Sequence, residues 1–476
     1  MARILMVTSE AAPFAKTGGL ADVLGSLPPA LVEKGEEVAV VLPAYGTIDL
    51  RGAERLYDDL TVWMDGGRYN CSIERFKRLG VHYLFVNCPA LYGRQGIYGD
   101  RYGDFGDNPI RYAVLCRAAL AISSRIFRPD VIHCHDWQAS LVPVYLKSTF
   151  RHDPVFYGIK TLLTIHNLGY QGRFGADVLP QIAVPVNEVM HPEGLEYFGD
   201  INYLKAGIIF SDYITTVSPR YAQEIQTPEF GFGLDPLLRA RRFFLAGILN
   251  GVDYDEWNPE TDRYIPHRYN ADTLEGKLAC KQALLEEFHL PIDELETRPL
   301  LGIVSRFAHQ KGLDLVADCI QGIADLGAQM VVLGSGDAEL ERTFAQVAAA
   351  RPHQFAYRSG YHEGLAHRIE AGSDMFLMPS RYEPCGLNQI YSLKYGTVPV
   401  VRATGGLDDT VTGDTGFKFF GSTANDLYNC LLHAIAEFSD RDAWTKRMRL
   451  GMALDFSWAV SADRYVELYR RLRQSG

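Results

Sequence analysis

The stretch MPSRYEPCGLNQ, residues 378–389, decides the fold of this chain. It follows the apolar run DMFLM, which is short enough for a buried strand, and it leads into LNQIYSLKYG, whose apolar spacing suits a helix. The loop between strand and helix carries Glu383, Cys385 and Gly386. In open α/β sheets such loops lie at the carboxyl ends of the strands, where ligands bind. A capped turn with a solvated glutamate has the same local pattern, so the rest of the chain has to distinguish the two.

Strands, polar loops and helices alternate along the whole chain. The strands predicted in the first half lie at 3–8, 38–42, 81–86, 130–133, 160–165, 213–217 and 244–249, and those in the second half lie at 300–306, 330–333, near 355, 374–378 and 398–401. Two βαβ series predict an α/β protein with two Rossmann-like domains that face an inter-domain cleft. We expect an N-terminal domain at 1–247, a C-terminal domain at 248–458 and a C-terminal helix at 459–476, with packing of that helix against the first domain as one arrangement.

The composition argues against several classes of protein. With 476 residues, of which 47% are hydrophobic and 22% charged, the chain is globular and too long for one core. Its net charge of −11 argues against general nucleic-acid binding, and no apolar run approaches a membrane span. The eight cysteines form no C-x-x-C pair and the thirteen histidines no H-E-x-x-H motif, so we expect neither a disulfide framework nor a metal site. No signal peptide is evident in MARILMVTSE, and we therefore expect a cytoplasmic protein.

A glycine-containing loop, SEAAPFAKTGGLADV at residues 9–23, follows the first predicted strand and leads into the first helix. This layout holds phosphate groups, and Lys16 beside Gly18 and Gly19 would add a compact positive charge. An exposed lysine in an ordinary turn is the alternative. The loop does not match G-x-G-x-x-G, and no acidic residue stands in a ribose-binding position after the strand at 38–42. A nicotinamide cofactor is therefore disfavoured, and we expect no other cofactor.

Cations follow predicted strands in both halves of the chain. Lys16 lies in the first half, Arg306 and Lys311 lie in the second, and closure of the two domains would bring all three together. Three cations with the amides of a helix start can form a diphosphate site without a metal. A sugar diphosphate carries a good leaving group, whose developing charge the cations would neutralise. The sequence therefore suggests glycosyl transfer.

Other polar residues at strand ends suit the sugar and its acceptor. Glu383 would hydrogen-bond the sugar hydroxyls, and His166, by its side chain or its backbone carbonyl, would lie near the sugar. Asp136 is a candidate to position the acceptor hydroxyl. Cys385 has no evident base that would activate a thiol, so packing is its favoured role, and His133 is interpreted as structural.

Together, these motifs resemble the bacterial glycogen synthase and plant starch synthase family. The matching segments, in the family's order, are KTGGLADV at 16–23, HCHDW at 133–137, HNLGYQG at 166–172, ILNGVD at 248–253, SRFAHQKGLDL at 305–315, GYHE at 360–363, PSRYEPCGLNQIYSLKYGTVPVV at 379–401 and TGGLDDTV at 404–411. They span nearly the whole chain, and the combination of KTGGLADV with EPCGL is highly specific.

The resemblance implies a GT-B architecture and a retaining glycosyltransferase. Its donor would be ADP-glucose and its acceptor the non-reducing end of an α-1,4-glucan such as glycogen, with neither nucleic acid nor membrane as a partner. The lack of a transit peptide favours a bacterial, cytoplasmic enzyme over a plastid starch synthase.

The resemblance also implies roles for individual residues. Lys16 would bind the sugar nucleotide, Arg306 and Lys311 its diphosphate, Tyr361 would lie near the adenine, and Glu383 would be held against the donor glucose. The predicted donor site comprises Lys16, Gly18, Gly19, Asn250, Arg306, Lys311, Tyr361, Glu383, Gly386 and Leu387, the predicted catalytic set comprises Glu383, His166, Asp136, Arg306 and Lys311, and the acceptor candidates are Tyr98 and Asp136. Asn388 stands where some relatives have threonine, which leaves open whether its backbone or its side chain serves the nucleotide.

Several alternatives stay open from sequence. A nucleotide-sugar epimerase would share the cations but need no polymer acceptor, and a non-catalytic glucan-binding protein would tolerate the loss of Lys16 and Glu383. A nicotinamide oxidoreductase is a more distant third. Front-face attack, assisted by the departing phosphate oxygen, is the favoured route to retention, whereas two displacements would need a carboxylate on the opposite face of the sugar.

Overall fold

The structure is a computed structural model that describes residues 1–474. These residues form two compact units, each with its own sheet and its own core. The first unit contains Met1–Val217, Ala222–Gly251 and the segment that begins at Trp458, and the second contains Ser218–Tyr221 and Val252–Ser457. Within residues 1–474, no helix combines the length and the apolar character that crossing a membrane requires.

The strands of the first unit are mostly short. They are β1 (Arg3–Val7), β2 (Glu37–Pro43), β3 (Glu54–Met64), β4 (Gly67–Arg78), β5 (Val81–Asn87), β6 (Gly99–Asp100), β7 (Gly103–Asp104), β8 (Val131–His135), β9 (Lys160–Ile165), β10 (Arg173–Phe174), β11 (Glu196–Tyr197), β12 (Asp200–Asn202), β13 (Tyr213–Thr216) and β14 (Leu245–Gly247). Nine of them form one sheet in the order β14-β13-β9-β8-β1-β2-β5-β4-β3.

This sheet is parallel from β14 to β5, and β4 and β3 extend it as an antiparallel hairpin. At its centre, Ile4 of β1 pairs with Val38 of β2 on one side and with Val131 of β8 on the other. The strand order reverses around β1, so the loops after β1 and β8 lie at a switch point where ligands bind.

The helices up to residue 251 lie between these strands along the chain. They are α1 (Gly19–Glu33), α2 (Pro89–Tyr92), α3 (Asn108–Arg125), α4 (Asp136–Ala139), α5 (Leu141–Lys147), α6 (Val186–Val189), α7 (Tyr203–Phe210), α8 (Pro219–Glu224) and α9 (Asp235–Ala240). In α1, Val23, Leu24, Leu27 and Leu31 recur at helical spacing, and all four are buried. This apolar stripe fixes which side of α1 packs on the sheet.

The second unit has a six-stranded sheet whose paired strands all run parallel. Its strands are β15 (Leu300–Phe307), β16 (Gln329–Gly336), β17 (Phe355–Ser359), β18 (Met375–Met378), β19 (Val398–Arg402) and β20 (Phe417–Phe419). Their order, β17-β16-β15-β18-β19-β20, is the Rossmann order, and it reverses between β15 and β18. The loops after β15 and β18 therefore flank the switch point of this unit.

The helices of the second unit precede, separate and follow these strands along the chain. They are α10 (Glu275–Glu287), α11 (Leu313–Asp318), α12 (Ile320–Asp325), α13 (Ala338–Ala350), α14 (Glu363–Gly372), α15 (Asn388–Lys394), α16 (Gly405–Thr410), α17 (Ala424–Phe438) and α18 (Arg441–Met452). The expected sequence of strand, EPCGL-containing loop and helix is confirmed, because β18 precedes that loop and α15 follows it.

The last helix, α19 (Trp458–Gln474), belongs to the first unit. Tyr465, Leu468 and Leu472 of α19 are buried in the same core cluster as Leu24 and Leu27 of α1. The C-terminal end of the described chain therefore completes the core that its N-terminal helix begins.

Candidate active site

Lys311 and Glu383 come together at the switch point of the second unit. The Lys311 Nζ donates to Glu383 Oε2 at 2.6 Å, and the Ser380 hydroxyl donates to the same oxygen at 2.9 Å. Glu383 is buried, whereas Lys311 is half-buried. The structure thus joins the loop after β15 to the loop after β18 through opposite charges.

A second set of contacts fixes the position of the loop after β18 relative to the segment that follows β15. Arg381 binds Asp314 of α11 with both terminal nitrogens, at 2.7 and 2.6 Å. The Arg381 backbone N–H donates to the Gln310 carbonyl at 2.8 Å, and the Gln310 amide donates to the Tyr382 carbonyl at 3.1 Å. A bidentate arginine–carboxylate pair fixes both distance and orientation, so the position of Glu383 is determined by its neighbours as well as by Lys311.

The segment TGGLDD, residues 404–409, packs against the backbone of the Glu383 loop. The Gly406 N–H donates to the Glu383 carbonyl at 3.1 Å. A Cβ on Gly405 would lie 1.9 Å from that carbonyl oxygen, and a Cβ on Gly406 would lie 2.0 Å from the Cys385 carbonyl oxygen. The two loops therefore approach more closely than any residue with a side chain would permit.

The residues that follow Cys385 form the start of α15. Gly386 adopts a φ of +69°, a conformation that favours glycine, and Leu387 directly precedes the helix. The Asn388 side-chain amide donates to the Val304 carbonyl at 3.0 Å, so this amide ties α15 to β15. Cys385 is buried.

Arg306 and Tyr361 lie further from the Lys311–Glu383 pair. Arg306 is exposed near the end of β15, and Tyr361 is 71% exposed in the loop between β17 and α14. Within residues 1–474, no hydrogen bond or ion pair joins Arg306 to Lys311 or to Glu383. The ion pair of this unit's predicted donor site thus joins Lys311 to Glu383 and does not include Arg306.

The switch point of the first unit holds Asp136 and His166, from the ends of the adjacent strands β8 and β9. Asp136 has a φ of 57°, which is unusual for a residue other than glycine. Its carboxylate accepts the His166 backbone N–H at 2.7 Å, and the Asn167 backbone N–H is a second donor. Burial raises the pKa of Asp136 to about 7, while these two N–H groups lower it.

Two buried histidines, His133 and His135, and the partly buried His166 lie beside Asp136. The ring centroids of His133 and His135 are 4.1 Å apart, and His135 Nδ1 lies 3.0 Å from His166 Nε2. Burial lowers the pKa of His166 to about 3 and holds the pKa values of His133 and His135 well below the usual range. All three imidazoles are therefore neutral at pH 7.

His133 is engaged on both nitrogens within the fold. Its Nδ1 lies 2.8 Å from the Tyr469 hydroxyl of α19, and its Nε2 lies 2.6 Å from the Thr164 hydroxyl. The Nε2 of His135, in contrast, is buried without a hydrogen-bond partner among residues 1–474. Of the two, His133 has the contacts of a structural histidine.

The glycine loop after β1 is shaped by Glu10. This buried carboxylate accepts the Thr17 hydroxyl at 2.7 Å and the Gly18 N–H at 3.3 Å, and it also accepts the Thr17 N–H and the Tyr98 hydroxyl. A Cβ on Gly18 or on Gly19 would meet nothing within 4 Å. Internal packing thus does not explain the two glycines, whereas close approach of a ligand would.

The remaining predicted residues of the first unit are Lys16, Tyr98 and Asn250. The Lys16 Nζ donates to Asp22 at 2.6 Å with both side chains partly exposed. The Tyr98 hydroxyl also lies 2.8 Å from the Ser9 hydroxyl, so Tyr98 is hydrogen-bonded to the glycine loop. Asn250 is buried, and its side-chain oxygen has no hydrogen-bond partner within the described residues, which leaves it available to a ligand.

This chain is similar to known proteins along nearly its whole length. Residues 3–240 match the family model "Starch synthase catalytic domain", and residues 286–450 match "Glycosyl transferases group 1". The glycogen synthase of Koribacter versatilis is 47% identical over 99% of this chain and 98% of its own. That of Anaeromyxobacter dehalogenans (strain 2CP-1 / ATCC BAA-258) is 48% identical over 99% of each chain. This chain belongs to the glycogen synthase family.

The solved structures agree with this family. The catalytic domain of starch synthase IV from Arabidopsis thaliana, bound to ADP and acarbose, superposes with a TM-score of 0.90, 33% identity and 99% coverage of each chain. A sucrose-phosphate synthase from Thermosynechococcus elongatus, at 16% identity and a TM-score of 0.60, shares the fold. The protein is thus a glycosyltransferase with two Rossmann-like domains of the GT-B fold. The family decides against an epimerase, a non-catalytic glucan-binding protein and an oxidoreductase.

Some residues of the site are not evident in the sequence. Glu10 is a single acid in a loop, and its role appears only when the chain returns at Thr17 and Gly18. The Arg381–Asp314 pair joins the loop after β18 to helix α11. The paired glycines at 405 and 406 were the one available signal, since they indicate a close backbone approach.

Proposed function

We propose that this glycogen synthase relative transfers glucose from ADP-glucose to the non-reducing end of an α-1,4-glucan, with retention of the anomeric configuration. The observation that carries the proposal is the Lys311–Glu383 pair at 2.6 Å, at the switch point of a Rossmann sheet. Support for the adenine nucleotide comes from the Arabidopsis starch synthase IV domain, which was solved with ADP.

The second unit would bind the donor. Lys311 would contact the diphosphate and would keep its ion pair with Glu383. Arg306 would contribute the second positive charge. Preorganised cations stabilise the charge that develops on a departing diphosphate, and they act without reorganising during the reaction. Glu383, held by Lys311 and Ser380, would accept hydrogen bonds from the glucose hydroxyls. Tyr361, Gly386 and Leu387 would line the nucleotide.

The first unit would supply the groups near the reacting carbon and the acceptor. His166 is neutral, so it would offer a hydrogen bond to the sugar without placing a positive charge beside an oxocarbenium-like carbon. Asp136 would position the glucan hydroxyl, with Tyr98 as a further acceptor contact. Lys16, Gly18, Gly19 and Asn250 would complete the donor site.

A front-face reaction suits these contacts better than two displacements. Glu383 is engaged by a cation, and Asp136 accepts two backbone N–H groups, so neither is an unengaged carboxylate nucleophile. The departing phosphate oxygen would instead take the proton of the glucan hydroxyl as the new bond forms on the same face.

The cellular location would be the cytoplasm. Seven of the eight cysteines are buried, as expected for thiols that a reducing compartment maintains.

Transfer of radiolabelled glucose onto glycogen tests the proposal. We expect incorporation from ADP-glucose, only with a glucan acceptor, and full digestion of the new linkages by an α-1,4-specific glucosidase. Preference for UDP-glucose would overturn the donor assignment, and linkages resistant to that enzyme would overturn the stereochemistry.

A further inference from the structure

A cluster of two carboxylates and one imidazole lies in the second unit, on residues that the proposed transfer reaction does not use. One ligand atom each from Glu256, Glu363 and His367 lies within 4.8 Å of the other two. Glu363 and His367 occupy positions i and i+4 of α14, so they share one face of that helix. Glu256 comes from a distant part of the chain, the loop that follows β14.

The imidazole of His367 is buried, and only one of its two nitrogens is hydrogen-bonded within residues 1–474. Its side chain is 0% exposed, and its Nδ1 lies 2.8 Å from Asp262 Oδ2. Its Nε2 is buried and has no hydrogen-bond partner within residues 1–474. Because a hydrogen bond to the Asp262 carboxylate places the proton on Nδ1, the Nε2 carries a lone pair that no donor satisfies.

Asp262 orients this ring in the way carboxylates orient metal-binding histidines. Its Oδ2 also accepts the Tyr395 hydroxyl at 2.5 Å, and its Oδ1 accepts the Tyr264 N–H at 2.7 Å. A carboxylate–histidine pair of this kind fixes the tautomer and makes the free nitrogen a better ligand. Asp262 thus already binds Nδ1 of the His367 ring, as the carboxylate partner of a metal-binding histidine does.

Aromatic stacking fixes the position of the cluster. The Trp257 ring lies 3.7 Å from the His367 ring at an interplanar angle of 13°, and 3.9 Å from the Tyr391 ring at 5°. Since Glu256 directly precedes Trp257, the backbone of this glutamate is anchored against α14. The two glutamate side chains are exposed, and Glu363 Oε1 accepts a long hydrogen bond of 3.4 Å from the Tyr264 hydroxyl.

The charges of the cluster favour a cation. Glu256 and Glu363 lie close enough to interact directly, and Asp253 adds a further negative charge. The exposed Arg263 is also near, but its guanidinium donates to the Tyr264 hydroxyl at 2.7 Å. A cation bound between the glutamates would offset their repulsion and satisfy His367 at the same time.

We propose that Glu256, Glu363 and His367 bind a divalent transition-metal cation of the zinc class. One imidazole nitrogen with carboxylate oxygens selects zinc-like cations over calcium or magnesium, which prefer oxygen ligands alone. Metal–ligand distances of about 2.0–2.2 Å require the glutamates to move inward, which exposed side chains can do by rotation. The fourth position would hold water.

Such a cation would tie the loop at 253–257 to the first turn of α14, directly after the loop that carries Tyr361. Its role would therefore be to order this part of the second unit. The site stands on its own residues and does not depend on the proposed transfer reaction.

Isothermal titration of the full-length, chelator-treated protein with Zn²⁺ tests the proposal, with visible absorption of added Co²⁺ as a second readout. We expect one cation per chain in the wild type and an increase in its melting temperature. Glu256→Gln and Glu363→Gln should each weaken binding by at least about 10-fold. Both side chains are exposed, so these variants should fold.

A matched control uses a surface pair of the same residue types. His191 Nδ1 lies 3.6 Å from a Glu193 oxygen on the first unit, and residues 1–474 supply no third ligand there, so Glu193→Gln should leave Zn²⁺ binding unchanged. Absence of stoichiometric binding in the wild type would overturn the proposal. Equal Zn²⁺ affinities in the wild type and in both glutamine variants would do the same.

Discussion

The Lys311 ammonium lies 2.6 Å from the Glu383 carboxylate, and this ion pair joins the two loops at which the strand order of the second unit reverses. The lysine side chain is 21% exposed and the glutamate 8%, so the pair has one face toward solvent. The carboxylate is supported from within by the Ser380 hydroxyl. A ligand at this switch point would therefore meet the lysine with its charge already positioned.

Loss of either partner of this pair should remove most turnover. We expect Lys311→Ala and Glu383→Ala each to lower kcat by about 100-fold or more, because each removes a preorganised charge at the reacting diphosphate or sugar. Steady-state rates with ADP-glucose and glycogen provide the measurement, and circular dichroism checks the fold. Arg358→Ala is a matched control, since it removes an exposed ion pair with Glu287 in the same unit. Near-normal turnover in both site variants would contradict the assignment.

The glycine at 406 should be intolerant of alanine. A Cβ there would lie 2.0 Å from the Cys385 carbonyl oxygen, so Gly406→Ala should displace the Glu383 loop and cost about 1–3 kcal/mol. We expect a lower melting temperature together with a loss of kcat. Gly413→Ala is the control, because a Cβ at that position meets nothing within 4 Å. Equal melting temperatures and rates for the two variants would show that the loops do not need this approach.

Much of the fold could be predicted because parallel strands buried on both faces are continuous apolar runs. The runs at β1, β2, β5, β9 and β15 were predicted within a residue or two of their observed ends. The β3–β4 hairpin was missed, since exposed and partly buried residues mix along β3 and no simple period results. The strand predicted at 244–249 is shorter in the structure, where β14 covers Leu245–Gly247.

The site was less predictable than the fold for a related reason. Sequence places residues at strand ends but does not determine which ends are neighbours, and only the strand order puts β15 beside β18. The sequence therefore identifies Lys311 and Glu383 as candidates but does not predict that they form an ion pair. The partners of His367 were not predicted at all, because Glu256 and Asp262 precede it by more than a hundred residues and no linear motif connects them.

Asp136 should make the stability of the wild type depend on pH. Its pKa of about 7 in the folded state exceeds the ordinary value of 3.8, so between these values the unfolded chain releases a proton that the folded chain retains. This contribution is fully present at low pH and is lost as pH rises through 7. Between pH 3.8 and about 7, each pH unit should lower the free energy of unfolding of the wild type by about 1.4 kcal/mol.

Asp136→Asn removes this titration and retains a residue that tolerates a positive φ. The free energy of unfolding of this variant, relative to wild type, should therefore rise between pH 4.5 and pH 7 and then level off. Denaturant unfolding at several pH values measures the difference. A difference that stays constant with pH would show that Asp136 ionises at its ordinary pKa.

Glu10 should control donor binding without taking part in the chemistry. Its carboxylate orders the glycine loop through Thr17 and Gly18, so Glu10→Ala should loosen the loop and raise KM for ADP-glucose by about 10-fold, with a smaller change in kcat. Glu33→Ala is the control, since Glu33 is exposed at the other end of α1. Initial rates over a range of donor concentrations separate the two parameters. A fall in kcat at unchanged KM would instead assign Glu10 to the transition state, because only then would its loss leave ground-state binding intact.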